Sequence, residues 1–395
     1  MLQGKKIVIC ITGSVAAIET PKLVRELRRK GAIAYCVMSK NSKNIINPKV
    51  LEWASGNEVI TELTGKVEHV MLCGEHEKKA DFVLIAPSTA NTIGKIAAGI
   101  DDTPVTTVIT TALGSSIPII IVPAMHISMY NNKIVIDNIT KLKRYGICFI
   151  NPRIDENKAK FPDPGLIVDF LNDFFVKKDL VGRKIVVTAG ATIEEIDPAR
   201  IITNKSSGKM GIAIATRAAK RGAEIKLISG NTIVKPRMNI DETKALSSLE
   251  MSRAIKSNLD SDVDVVIHCA AVSDFKIKKS DSKIRSNNEL NLELMPTTKI
   301  LDNIKKWNPG VFLVGFKAEY NLKEKELINS AYQKLRQSNS DLVVANDVGK
   351  KGIGFFSDKN EVYVVDKKKN VRHIPKADKL KIADQIIDEV AKRLR

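Results

Sequence analysis

Aromatic residues are scarce in this 395-residue chain, 5% of the total. Long apolar runs are missing: the longest candidate, Ile117–Val122, is broken by Pro118, far short of the ~20 residues a membrane helix needs. Lys5-Lys6 leads straight into Ile7–Ile11 and a glycine turn, too short an apolar core for a secretory signal. Five cysteines (Cys10, Cys36, Cys73, Cys148 and Cys269) form no CxxC pair. That pattern argues against a disulfide framework or zinc ribbon and points to the reducing cytoplasm. The chain also lacks GxGxxG after either of its glycine-turn strands, and no acidic residue ends the strand that follows each. Ser39 and Ser229-Gly230 stand there instead, so a nicotinamide-dependent oxidoreductase, the main rival enzyme reading, is poorly served.

What is present is positive charge. The chain carries 63 Lys and Arg against 45 Asp and Glu, a net +18, with 44% apolar and 27% charged residues. That balance is globular, and the length suits two or three domains. Residues 1–180 hold 23 basic and 18 acidic side chains, +5; residues 181–395 hold 40 and 27, +13. Such an excess suits nucleic acid or phosphorylated small molecules. A nucleic-acid surface would want aromatic platforms among its basic residues, which the low aromatic content disfavours.

Periodicity gives an α/β chain with two similar beginnings. Lys5–Ile11 reads as a strand, Gly13-Ser14 as a turn, Ala16–Lys30 as a helix and Ala32–Met38 as a strand. Further fully apolar strands are expected at Phe82–Ala86, Val105–Thr110 and Ile117–Val122. A second start follows: Arg183–Thr188, Gly190, helix Lys209–Arg221 and strand Glu224–Ser229, then strands at Val263–Cys269 and Asp341–Ala345. Two doubly wound, mostly parallel Rossmann-like domains follow, 1–178 and 182–395, with the boundary after helix Gly165–Val176. Lys276–Arg285 reads as a basic mobile lid, Lys367-Lys368-Lys369 as a hairpin turn and Ala377–Arg395 as a closing helix.

Ligands of open parallel sheets bind beyond the strand carboxyl ends, where helix N-termini face anions. Gly13 and Ser14 stand at such an end, as do Ser39, Ser88, Asn91, Thr106 and Thr107. One glycine and a hydroxyl suit a single phosphate, as on a mononucleotide. Each hydroxyl taken alone reads as a helix cap sooner than as a ligand contact; their recurrence along one rim is the signal.

The blocks Ile11-Thr12-Gly13-Ser14-Val15-Ala16-Ala17, Ala86-Pro87-Ser88-Thr89-Ala90-Asn91-Thr92 and Val122-Pro123-Ala124-Met125-His126 resemble the flavin-dependent phosphopantothenoylcysteine decarboxylases. Asp197-Pro198-Ala199-Arg200, Asn204-Lys205-Ser206-Ser207-Gly208-Lys209-Met210-Gly211, Ala270-Ala271-Val272-Ser273-Asp274-Phe275 and Val344-Ala345-Asn346-Asp347 resemble phosphopantothenate–cysteine ligases. The order is that of the bifunctional coenzyme A biosynthesis proteins over nearly the whole chain.

The first resemblance implies FMN at the rim, with Gly13 and Ser14 near its phosphate and Ser39, Ser88 and Asn91 around it. It implies an active-site histidine before Ala80-Asp81; His69 is favoured by its Glu-His-Val context, with His76 the alternative. Two departures stand out. His126 follows Pro-Ala-Met where the family has a carboxylate-holding asparagine, and Asn151–Gly165 lacks the family's proton-donating cysteine. Lys158, Lys160 or Cys148 would have to serve instead, and a ligase with an impaired decarboxylase is a further alternative.

The second resemblance implies CTP activation of 4′-phosphopantothenate with Mg²⁺, then attack by L-cysteine on the acyl-cytidylate. Asn204 would handle that intermediate and Arg200 the pantothenate phosphate. Ser207, Gly208 and Lys209 form the phosphate block. Nucleotide contacts are implied for Ala271, Asp274, Lys283, Thr297, Thr298, Phe316 and Lys334, while Ser338 replaces a usual lysine. No metal ligand is implied, and CTP against ATP stays open. The resemblance further implies homo-oligomers, trimeric through the first domain and dimeric through the second, with no nucleic-acid or membrane partner.

Overall fold

The structure, a computed structural model, describes residues 2–156, 158–236, 238–285 and 290–394. Arg395, the expected end of the last helix, lies outside the described residues. The chain divides into two compact units, Met1–Val176 and Lys177–Arg395.

In the first unit, Lys6–Ile11 (β1), Ile33–Met38 (β2), Phe82–Ser88 (β3), Ile119–Pro123 (β4) and Cys148–Phe149 (β5) form one parallel sheet, ordered β2-β1-β3-β4-β5. Both faces are covered. Ile7, Ile9 and Ile11 pack with Leu23, Val24 and Leu27 of helix Thr20–Arg29. Val8 and Cys10 pack on the other face with Ile93 and Val108. This is why the strands read as unbroken apolar runs rather than alternating ones.

One expected strand is corrected. Val105–Thr110 belongs to helix Pro104–Gly114. Its β-branched residues suggest a strand, but Thr103 caps the helix, Pro104 takes the first position and Thr106 closes a capping box. Thr107 and Thr111 then return their hydroxyls to the carbonyls four residues back, at 3.0 and 2.8 Å, which accommodates threonine in a helix.

The second unit holds an eight-stranded sheet. Its strands are Lys184–Ala189 (β6), Glu224–Ser229 (β7), Asp241–Lys244 (β8), Val265–His268 (β9), Phe312–Glu319 (β10), Leu342–Asp347 (β11), Lys359–Asp366 (β12) and Val371–Asp378 (β13). The order is β8-β7-β6-β9-β10-β11-β12-β13, parallel through β11 and antiparallel for the last two. Lys367–Lys369 turns that final hairpin, although Lys367 also pairs with Asp341 at 2.6 Å. Helix Lys379–Arg393 packs on helix Lys209–Lys220.

The expected lid is tied down. Phe275–Lys276 pairs with Met295–Pro296, and the Ser280 N–H donates to the Ile196 carbonyl at 2.9 Å. The Ile284 N–H donates to Asp197 Oδ2 at 3.1 Å. The segment therefore docks on the hairpin Ile193–Asp197/Arg200–Thr203. Among the described residues, no helix is long and apolar enough to cross a membrane, and all five cysteines are free thiols.

Candidate active sites

In the first unit the chain order turns back across β1, so β2 and β3 flank it and their carboxyl ends open a crevice. Thr12 knits that crevice: its hydroxyl donates to the Pro87 carbonyl at 2.9 Å and accepts from the Thr89 N–H at 3.1 Å. A Cβ on Gly13 would lie 2.6 Å from Asn41 Cβ, so only glycine lets these loops approach. Ser14 donates to the Ala124 carbonyl at 3.1 Å and faces a cavity of about 730 Å³.

His126 and Lys158 line that same cavity with Ser14, and they are direct partners in an antiparallel pairing. The His126 ring contacts Ser128 Oγ through Nδ1 at 2.9 Å. Lys160 also lines the cavity, but its ammonium is held by Asp155 at 2.8 Å and Glu156 at 2.6 Å. Cys148 sits in β5, and burial raises its thiol pKa.

The other expected flavin residues divide. Ser88 is fully buried, and among the described residues its hydroxyl has no partner; the Nδ1 atom of His69 is likewise buried and unpaired there. The His76 ring, by contrast, is occupied: Nε2 meets the Val70 and Met71 carbonyls at 3.2 and 3.0 Å, and Nδ1 accepts from the Lys78 N–H at 3.1 Å. Asn91 is exposed in the first turn of helix Ala90–Ala98. Ser39 caps helix Lys40–Lys43. Thr106 is 2% exposed and its hydroxyl is used in the capping box, so it offers the rim nothing.

The second unit has a cavity of about 710 Å³ at the matching place, at the carboxyl ends of β9, β10 and β11. Asn204, Ser207, Gly208 and Lys209 line one side; Ala271, Asp274, Thr297 and Thr298 line another; Phe316 and Lys334 join them. Gly208 begins helix Lys209–Lys220 in the left-handed region, φ +74°, and presents the free amides of its first turn to the cavity. A Cβ there would lie 2.5 Å from Thr232 Cγ2 and 3.3 Å from Gly190 Cα. Gly208→Ala is therefore expected to lower stability by at least ~1–2 kcal/mol, the left-handed penalty alone. Calorimetry of the purified variant would show a fall of about 2–4 °C per kcal/mol in Tm.

Several side chains of this wall are already engaged. Asn204 Nδ2 donates to the Ala271 and Val272 carbonyls at 3.2 and 3.1 Å. Ser207 donates to the Phe355 carbonyl, and Lys209 to the Phe356 carbonyl and to Asp358 at 2.6 Å. That lysine holds the Asp358 carboxyl below its usual pKa. Lys299 pairs with Asp274, and Lys334 with Asp302 at 2.7 Å.

Three expected residues do not line the cavity. Arg200 pairs with Asp197 and reaches the Ile284 carbonyl at 3.0 Å. Lys283 is exposed on the docked segment. Ser338 is buried, its hydroxyl between the Lys334 carbonyl at 2.8 Å and Ser340 Oγ at 2.7 Å, so it does not do a lysine's work.

Lys379 and His268 are among the lining residues that escaped the sequence reading. Lys379 is 7% exposed and donates to the Gly354 and Phe355 carbonyls at 2.9 and 3.2 Å; burial depresses it from 10.5 to about 8. His268, also 7% exposed, ends β9 and is lowered from 6.5 to about 4 by burial and by Lys334. Both looked like ordinary members of a helix face and a strand. Only their places at element ends, His268 closing β9 and Lys379 opening the last helix, hinted at a rim position.

A family model described as "Flavoprotein" matches residues 1–176, and one described as "DNA/pantothenate metabolism flavoprotein C-terminal domain" matches 180–394. The coenzyme A biosynthesis bifunctional protein CoaBC of Thermococcus kodakarensis is 51% identical over 100% of this chain and 96% of its own length. Its namesake from Methanocaldococcus jannaschii is 39% identical over 100% and 95%, and that of Bacillus subtilis 34% over 99% and 98%. Matched end to end, with two family models in the order of its two crevices, the chain belongs to the family of bifunctional coenzyme A biosynthesis enzymes, a flavoprotein decarboxylase domain followed by a ligase domain.

Proposed function

We propose that the second unit joins 4′-phosphopantothenate to L-cysteine at the expense of CTP with Mg²⁺, and that the first unit decarboxylates the product to 4′-phosphopantetheine with FMN. The observation that carries the ligase half is the convergence of Asn204, Gly208, Lys209, Ala271, Asp274 and Lys334 on one cavity. Bringing a triphosphate to a phosphorylated acid is a problem of charge. Lys209, Lys379 and the first-turn amides after Gly208 answer it from one side. Asn204, held against the Ala271 and Val272 carbonyls, is oriented to meet the acyl-cytidylate. Arg200 and Lys283 act from outside this wall, Arg200 on the hairpin and Lys283 on the segment docked on it.

The first unit's residues fit a bound flavin mononucleotide. Ser14 faces the cavity next to the close approach at Gly13, and among the described residues the unpaired Ser88 hydroxyl and His69 Nδ1 are buried polar atoms wanting a partner. When bound, FMN supplies the electron sink that lets carbon dioxide leave and the hydride that restores the product. His69 handles the thiol proton, His126 the substrate carboxylate, and Lys158 stands beside His126 as the proton source replacing the missing cysteine. Val15 and Ile18 are 74% and 58% exposed at this cavity, an apolar lip that suits cover by a second copy in a cytoplasmic homo-oligomer.

Incubation with 4′-phosphopantothenate, cysteine, Mg²⁺ and each nucleotide in turn tests both halves, with pyrophosphate and carbon dioxide followed separately. Pyrophosphate release with CTP exceeding that with ATP, followed by carbon dioxide, is expected from a yellow protein. Pyrophosphate without carbon dioxide would remove the decarboxylase half, and neither product would sink the whole reading.

A further inference from the structure

His268 lies directly opposite Thr188 in the parallel pairing of β9 with β6. In-register neighbours share a face, here that of Val186 and Val266, covered by Leu301 and Ile304. Helix Lys209–Lys220 covers the other face through Ala213 and Ile214. The histidine thus stands across the sheet from the phosphate block.

Its proton can be located. Thr188 is fully buried, and its hydroxyl oxygen accepts from the Ala270 N–H at 3.0 Å while lying 3.0 Å from His268 Nδ1. Among the described residues that hydroxyl has no other acceptor. Its single proton therefore goes to Nδ1. The opposite tautomer would strand a buried O–H without an acceptor. Nδ1 is thus an acceptor, and Nε2 carries the hydrogen. Burial, with Lys334 close by, keeps the ring uncharged at neutral pH. Nε2 has no protein partner among the described residues, and the ring lines the cavity.

We propose that His268 is a specificity residue of the ligase cavity, a neutral Nε2–H donor fixed by Thr188 that reads an acceptor atom on the nucleobase of the bound nucleotide. This rests on the nucleotide-dependent ligase reading above. A phosphate is the poorer occupant here. Lys334, the cation near the His268 ring, is already paired with Asp302 at 2.7 Å, and that carboxylate repels a phosphate while tolerating an uncharged base. The surrounding wall of Ala270, Ile300 and Leu301 is apolar, as a base requires. A buried neutral donor left unpaired by the wrong base is also an effective discriminator.

The test compares His268→Leu with His268→Gln, which keeps a neutral donor, in steady-state pyrophosphate release by the full chain. His268→Leu should raise KM for CTP about 10- to 100-fold, with the KM values for 4′-phosphopantothenate and cysteine unchanged; His268→Gln should recover most of the loss. Inorganic tripolyphosphate, a competitive probe of the phosphate positions alone, should inhibit wild type and His268→Leu equally. A KM for CTP unchanged in the folded Leu variant would overturn the assignment, as would a tripolyphosphate inhibition constant rising in step with it. On wild type, ¹⁵N-histidine spectra at pH 7 should show the neutral Nε2–H form, and an Nδ1–H form or an imidazolium would overturn it without any variant. Wild type is assayed first: no pyrophosphate with any nucleotide would bring down the ligase reading itself, and is told apart from failure of His268 by its appearing before substitution.

Discussion

His69→Asn should lower carbon dioxide release by about 10²- to 10⁴-fold, the range expected for losing a positioned acid–base group, while pyrophosphate release continues. His76→Asn should leave both activities within about twofold. The two histidines are only seven residues apart and both precede Ala80-Asp81. Their surroundings differ. His76 has both ring nitrogens committed to backbone groups of its own neighbourhood, Val70, Met71 and Lys78. His69 lies in helix Glu68–Cys73 with Nδ1 buried and unpaired, a state that is costly unless a ligand completes it. Feeding 4′-phosphopantothenoylcysteine directly isolates the step. An unaffected His69→Asn, or an inactive but folded His76→Asn, would reverse the assignment.

CTP affinity should fall as pH rises through about 8, approaching tenfold per pH unit beyond it, because Lys379 loses its charge there. Lys379→Arg should abolish that dependence, since a guanidinium stays protonated, and Lys379→Met should bind weakly at every pH. Titration of CTP binding without cysteine avoids the titration of the second substrate. The same group predicts a stability trend. Its pKa is lower folded (about 8) than in the unfolded chain (10.5), so between those values the unfolded chain holds more protons. Wild-type stability should therefore gain from this group as pH rises from 8 to 10.5, relieving a penalty on the order of 3 kcal/mol. Lys379→Met should lack that trend in denaturant titrations. A buried ammonium facing the Gly354 and Phe355 carbonyls persists against this cost, as a group kept for binding would. Flat CTP affinity from pH 7 to 10 would remove Lys379 from the binding machinery.

Where local pattern and tertiary role agree, the elements were legible. Glu224–Ser229 is a strand with those very bounds, and helix Lys209–Lys220 ends one residue before its expected close. Where they compete, composition misled. The β-branched run at Val105–Thr110 resembled a buried strand until Thr103 and Pro104 are weighed as a helix start. The basic stretch Lys276–Arg285 resembled a free lid because nothing local in it reveals that Ile196 and Asp197, some 80 residues earlier, would hold its backbone.

The scarcity of aromatics, the absence of GxGxxG and the +13 in the second half narrowed the partners to phosphorylated small molecules from sequence alone. Sequence also determined the two α/β beginnings and most of the rim, because strand ends and helix starts are local features and ligand chemistry gathers there. Only the tertiary structure decided which side chains are free to act. Whether a hydroxyl, imidazole or ammonium is available depends on partners distant in the chain. Ser338 is closed off by Ser340 and a helix carbonyl, His76 by its own turn, and His268 is set as a donor by Thr188, 80 residues away. Burial, which keeps His268 neutral and lowers Lys379, is likewise a property of the packed molecule, because desolvation comes from every element that closes over a group at once.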